Sequence, residues 1–241
     1  MKGREILKLC VYSIFAGICI AFSALLFLYA SSLSDGEAVS KAICSLLFSF
    51  GLFFIIVMEY KLFTGMVAGL ADMKPKQWFN LVICYVFNTV GILIIVVIFK
   101  LFNNSVSKAV FERSVTVMTG KLSSSMLGSF FSAVCCGMMI TFAVKANGKA
   151  VKKGLSGTLC ILFPVLMFIF MGFEHSIADQ VYIFLAVLGG AEMDPVRVLL
   201  FAATVAFGNV VGGVFFPVLR KIAEKVKGEK EAEKAEEVKP E

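Results

Sequence analysis

This sequence predicts an all-α membrane protein with six transmembrane helices, on three observations. First, 59% of its 241 residues are hydrophobic and 17% are charged, with a mean hydropathy of +0.90. A soluble domain is roughly 45–50% apolar and about 25% charged, and a chain of this size still exposes too much surface to hide the excess. Second, six apolar segments reach the ~20 residues needed to cross a hydrocarbon core of about 30 Å. Third, the two halves of the chain echo one another. A soluble protein, a disordered chain and a nucleic-acid binder are excluded as readings. The single histidine excludes bis-histidine haem and any multi-histidine metal site. No metal and no cofactor is expected, and no enzymatic activity.

The segments are residues 9–30, 38–58, 79–102, 123–144, 155–188 and 196–219. Lys2, Arg4 and Lys8 precede the first, as in a secretory signal, but its apolar run is longer than a signal's ~7–15 residues. It is taken as a true span. The fifth is too long for one straight crossing. Lys and Arg are unevenly shared between the connecting segments. One side holds the amino terminus, Lys74, Lys76, Lys145, Lys149, Lys152, Lys153 and the cluster from Arg220 to Lys227. The other holds only Lys41, Lys100, Lys108, Arg113, Lys121 and Arg197. Positive charge collects on the cytoplasmic side, so both termini are expected there, in the cell membrane. Residues 1–225 read as a transmembrane channel domain, with repeats over about 9–102 and 123–219. Residues 226–241 read as a charged cytoplasmic tail that alternates Lys with Glu and Ala. The seven cysteines lie in or beside apolar spans without a C-x-x-C pair, as packing residues do.

Gly17 and Gly137 are 120 residues apart, as are Phe22 and Phe142, and Phe48 and Phe168. Asn88-Thr-Val-Gly91 in the third span returns as Asn209-Val-Val-Gly212 in the sixth. A common offset across three helix pairs indicates duplication. Each half has three spans, an odd number, so the copies enter the membrane inverted. Inverted repeats place transport sites near the midplane, where discontinuous helices meet. Two interruptions fit that plan. The second span breaks at residues 59–65 (EYKLFTG) and the fifth at 172–179 (GFEHSIAD). Charged residues and irregular backbone at that depth are tolerated only where protein or a cavity surrounds them.

LFTG at 62–65, GFEHSIAD at 172–179 and GNVVGG at 208–213 resemble the formate/nitrite transporter family. The likeness runs from the first span to the sixth. It implies a homopentamer in the lipid bilayer, each protomer an aquaporin-like six-helix pore with broken second and fifth helices. The implied cargo is formate, nitrite, hydrosulfide, lactate or acetate. By this resemblance the central histidine falls on His175 and the loop threonine on Thr64. The apolar constrictions fall on Phe48, Leu52, Leu62 and Phe168. Lys121 matches a lysine ahead of the fourth helix, and Asn88 and Asn209 match polar positions of the third and sixth. The sequence departs from the family at Glu59, where glycine is common, and at Lys61, where an acid is usual. It departs again at Asp179 and Gly137, both in place of asparagine. Only about eight residues precede the first span, so a long amino-terminal gating helix is not expected.

An anion at the bilayer centre pays a large desolvation cost. The expected solution is transient protonation near His175, after which the acid passes the apolar constrictions uncharged. Thr64 would share a hydrogen bond with His175 or the substrate, and Lys121 would draw anions to the outer mouth. Two roles fit Glu174 and Asp179: transport, or capping the restarted helix, whose N-terminal end favours carboxylates. Lys61 fits either anion contact or a snorkelling cation. Asn88 and Asn209 fit helix packing. The function expected is a channel or carrier for small monovalent anions and protons. A water or neutral-solute channel is the alternative, although the twin Asn-Pro-Ala signature of aquaporins is missing. An intramembrane enzyme or redox anchor finds no metal-ligand cluster and no paired catalytic aspartates here.

Overall fold

The computed structural model describes residues 3–34, 37–150 and 154–237, with 147–150 and 228–237 described by backbone alone. Lys2, Lys152, Lys153 and the last four residues of the expected tail lie outside the described residues. Nine α-helices make up the described chain: α1 (Gly3–Ser32), α2 (Ala38–Val57), α3 (Phe63–Val67), α4 (Phe79–Lys100), α5 (Ser105–Ser123), α6 (Met126–Ala150), α7 (Leu155–Met171), α8 (Ser176–Leu188) and α9 (Pro195–Glu237). Five stretches are long and apolar enough to cross a membrane: Gly3–Ser32, Ala38–Val57, Pro75–Lys100, Met126–Ala146 and Pro195–Lys227. The α7–α8 pair, bent by 49°, makes a sixth if counted as one span. That pair is the over-long fifth segment of the sequence.

Small residues set the helix packing. α1 lies on α4 and α6 lies on α9, and glycines line both seams. A Cβ on Gly91 would overlap the carbonyl oxygen of Ile14, and one on Gly212 that of Val134. Gly17 and Gly137 stand in the same relation to the carbonyl oxygens of Asn88 and Asn209. Such close backbone approach is the usual way apolar helices associate where no hydrophobic effect separates them from lipid.

The two breaks are built alike. In α2, the amide of Tyr60 donates to Ile55 O and that of Glu59 to Ile56 O. In α7, Phe173 donates to Phe168 O and Gly172 to Ile169 O. Both are Schellman endings, which need a left-handed residue before the chain turns away. Gly172 fills that place at φ 73 without strain, and Glu59 fills it at φ 57 with a side chain.

Two features differ from the sequence reading. Residues 105–123, taken as part of a loop, form α5. Its inward face is mostly short side chains (Ser107, Val110, Ser114, Met118), which gives no apolar stripe to read. The repeat register also shifts. The matching endings pair Glu59 with Gly172, an offset of 113, so Phe168 corresponds to Ile55 and not to Phe48. Seven fewer residues separate Gly137 from Gly172 than Gly17 from Glu59. The expected tail, readable from its sequence as a solvated helix or a disordered extension, is helical as far as it is described: α9 continues through residue 226 to Glu237.

Gly91→Ala and Gly212→Ala should each cost about 1–3 kcal/mol, the usual penalty for overpacking, read as a lower Tm in detergent. Gly120→Ala, with nothing within 4 Å of its added carbon, should lose nothing. Glu59→Gly should raise Tm, because it relieves a left-handed side chain worth on the order of 1 kcal/mol.

Candidate functional site

Two cavities enter the helix bundle from opposite ends of α2. The first, of about 520 Å³, is lined by Leu52, Ile55, Lys61, Leu62, Met66 and Lys145 among others. The second, of about 300 Å³, is lined by Lys41, Lys121, Glu174, His175, Asp179 and Tyr182 among others. Lys41 and Ile55 are separated by about 21 Å along the helix axis, at 1.5 Å per residue. An apolar neck lies where the two cavities approach: Leu52 and Leu62 line the first, and Phe168 stacks on His175 of the second. Phe48, Leu52, Leu62 and Phe168 are all at most 2% exposed. The Phe48 and Phe168 rings meet edge to face, their centroids 6.3 Å apart.

His175 and Thr64 are the polar pair at this neck. The Thr64 hydroxyl and His175 Nε2 are 3.0 Å apart, and both residues are buried. His175 is the residue before α8, so its ring can fold back and cap the helix. Its Nδ1 accepts from the amide of Ala178 at 3.0 Å. An Nδ1 that accepts a backbone N–H carries no proton, so in the neutral ring the hydrogen sits on Nε2. Nε2 then donates to Thr64 Oγ1. The threonine's own hydrogen is left for another acceptor. Phe168 stacks on the imidazole at 5.6 Å and fixes its plane. A break in the helix therefore places one oriented N–H and one free hydroxyl hydrogen beside an apolar slit.

The second cavity's floor carries charge. Lys121 comes from the last turn of α5. Its Nζ donates to Glu174 Oε2 and lies 3.1 Å from Asp179 Oδ1. Its ammonium is also 5.8 Å from the Tyr182 ring. The sequence placed Lys121 at an outer mouth, and the structure holds it inside, on two carboxylates. Glu174 and Asp179 had been weighed as caps of the restarted helix. The cap hydrogen bond instead belongs to His175. Sequence reasoning did not join Asp179 to Lys121, since α5 had not been read as a helix.

Asn88 and Asn209 hold the two breaks. Asn88 Nδ2 donates to Ser13 O and Lys61 O, and its Oδ1 accepts from Phe63 N. Asn209 Nδ2 donates to Ala133 O and Glu174 O, and its Oδ1 accepts from Ser176 N. Each amide satisfies backbone groups where one interruption gives way to the following helix. Their role is larger than the helix packing the sequence suggested. Lys61 stands exposed at the first cavity.

A sequence model of the formate/nitrite transporter family matches residues 2–222. The chain belongs to the formate/nitrite transporter family. A probable formate transporter of Methanothermobacter thermautotrophicus is 25% identical, over 87% of this chain and 85% of its own length. The formate channel FocA of Haemophilus influenzae is 22% identical, over 82% and 80%. An uncharacterised transporter of Saccharomyces cerevisiae is 28% identical over 70% of this chain, which spans only 28% of that longer protein. Among solved structures, a pentameric formate channel with formate bound superposes with a TM-score of 0.81, at 20% identity over 94% of this chain and all of that one. An FNT family ion channel superposes with a TM-score of 0.77, at 23% identity over 87% of each. The fold is that of these channels, and the chain is a multi-pass membrane protein.

In this family member the wall of the first cavity is tied to α9. Gly69 and Met73 line that cavity, and Asp72 between them pairs with Lys221 at 3.0 Å. Lys221 also donates to Ala71 O. The hydrogen bond from Lys221 holds the Asp72 carboxyl below its ordinary value. A depressed carboxyl contributes above the unfolded value, near 3.9, and loses its contribution as pH falls through the folded one. The tie is therefore complete at neutral pH and opens only in strong acid. Lys221→Ala should return the Asp72 pKa toward the ordinary value, read by carbon NMR of labelled Asp. Asn88→Leu or Asn209→Leu should cost about 1–3 kcal/mol for each backbone group left unpaired. Asn→Asp should not restore the loss, because a carboxylate faces the two carbonyls without a donor.

Proposed function

We propose that this chain is a channel or carrier for small monovalent anions of weak acids, formate, nitrite or hydrosulfide, which cross as the neutral acid. The carrying observation is the Thr64–His175 pair, 3.0 Å apart, beside a neck of Phe48, Phe168, Leu52 and Leu62. A bare anion in that neck would lose its hydration without gaining a cation. A protonated acid loses far less. The hydroxyl hydrogen of Thr64, left free because its oxygen accepts from His175 Nε2, would hold an oxygen or the sulfur of the acid while its proton is taken up nearby. Lys61 and Lys145 at one mouth, and Lys41 at the other, would raise the local anion concentration. Membership of the family supports transport, and the relatives named for formate support that cargo. The likeness to a pentameric channel supports five copies, each with its own path. The excess of Lys and Arg on the side of the termini supports cytoplasmic ends in a cell membrane, with residues 226–241 as a cytoplasmic tail.

Proteoliposomes holding the purified protein should take up formate, nitrite and hydrosulfide, faster from an acid exterior than from a neutral one. His175→Asn should change the pH dependence or the selectivity of that uptake. Water flux without any anion flux would favour a neutral-solute channel instead.

A further inference from the structure

The Lys121 cluster contains one more carboxyl than it has cations. Lys121 touches both Glu174 and Asp179. The three side chains are 15%, 7% and 3% exposed, respectively. With both acids ionised, a net negative charge would sit buried on the floor of the cavity an anion must enter. Two carboxyls in contact with one ammonium do not both ionise readily, and an uncompensated buried charge is costly. The orphan is visible. Asp179 Oδ2 is buried with no hydrogen-bond partner, while Oδ1 accepts from the lysine. Glu174 and Asp179 both rest on the one ammonium of Lys121. One proton held by this pair of acids leaves a single carboxylate against a single ammonium.

Among the described residues no second cation stands at contact distance from the two carboxyls. Tyr182 on α8, Cys136 on α6 and Tyr85 on α4 are the other titratable groups within electrostatic reach of Asp179. All are neutral acids. Lys41 of α2 lines the same cavity with its ammonium over the Phe170 ring. His175, whose Nδ1 already accepts from Ala178, has no second proton to give.

We propose that Glu174 and Asp179 share one proton over Lys121, and that this is the proton an entering anion picks up. The second half rests on the weak-acid reading above, and the first does not. In the step, the carboxyl O–H bond breaks and its electron pair stays on the carboxylate. The anion's lone pair takes the proton and forms the neutral acid. Hydronium from the water of the same cavity restores the pair, and the acid releases its proton to water in the other cavity. One anion and one proton cross together, and no oxidant or reductant is needed.

Infrared spectra of the purified protein, in a detergent without esters at neutral pH, should show the carbonyl stretch of a protonated carboxylic acid. It should move in heavy water and disappear in both Asp179→Asn and Glu174→Gln. Either substitution leaves one acid against one lysine, with no proton to share. The absence of that band in the parent protein, or its survival in Asp179→Asn, overturns the shared proton. In proteoliposomes with an internal pH dye, the parent should take up one proton per formate. Asp179→Asn should slow uptake at neutral pH by at least about tenfold, as loss of a positioned acid does, and move the pH profile toward acid. An unmoved profile overturns the second half. A protein that shows the band but carries no anion refutes the transport reading alone. A protein that carries anions without the band refutes the shared proton alone.

Discussion

A helix interrupted inside a bilayer exposes amide and carbonyl groups that lipid cannot satisfy, and every property of the site follows from how that demand is met. Here two asparagines meet it. Asn88 bridges α1 to the break and to the first residue of α3, and Asn209 bridges α6 to the break and to the first residue of α8. An amide suits this place because it carries donors and an acceptor on one small planar group. With the backbone satisfied, His175 is free to turn its ring toward the neck. The glycine seams serve the same end. Only without a Cβ on Gly17 and Gly137 can the helices bearing the asparagines come close enough.

The repeat and the chemistry diverge along the chain. Both halves use the same helix ending and the same asparagine bridge, so the scaffold is duplicated. The residues at corresponding places of the two breaks are different. Leu62 precedes α3 where His175 precedes α8, and Lys61 stands where Glu174 does, in the register set by the two endings. One copy supplies a greasy shoulder and the other the imidazole and carboxylates. The hydrogen-bonded pair of Thr64 on α3 and His175 of the other half brings them together.

Much of this was legible in the sequence, for physical reasons. Six apolar runs and two polar interruptions within them require a membrane fold with broken helices, because no soluble or continuous alternative hides those residues. Individual glycines and asparagines could be matched across the halves. What was illegible depended on α5. Its helix is signed by the Asn104–Ser107 capping box and by inward positions at 107, 110, 114 and 118, but two of those four are serines, and hydropathy is blind to such a face. Without α5, Lys121 looks like a loop residue and Asp179 like a helix cap. The Phe48–Phe168 spacing misled for another reason. Seven residues are missing between the first and second helices of the later half, so equal spacing in sequence did not mean equal place in the fold. The two rings meet nonetheless, from non-equivalent positions.

The stacked and crossed rings at the neck carry an electrical consequence. Apart from the Thr64–His175 pair the neck is lined by carbon, and such low-permittivity surroundings make a sodium or chloride ion costly to admit. A solute that crosses without net charge does no work against the membrane voltage. On the weak-acid transport proposed above, such a conduit would leave the cell's voltage undisturbed, its traffic answering to concentration and acidity.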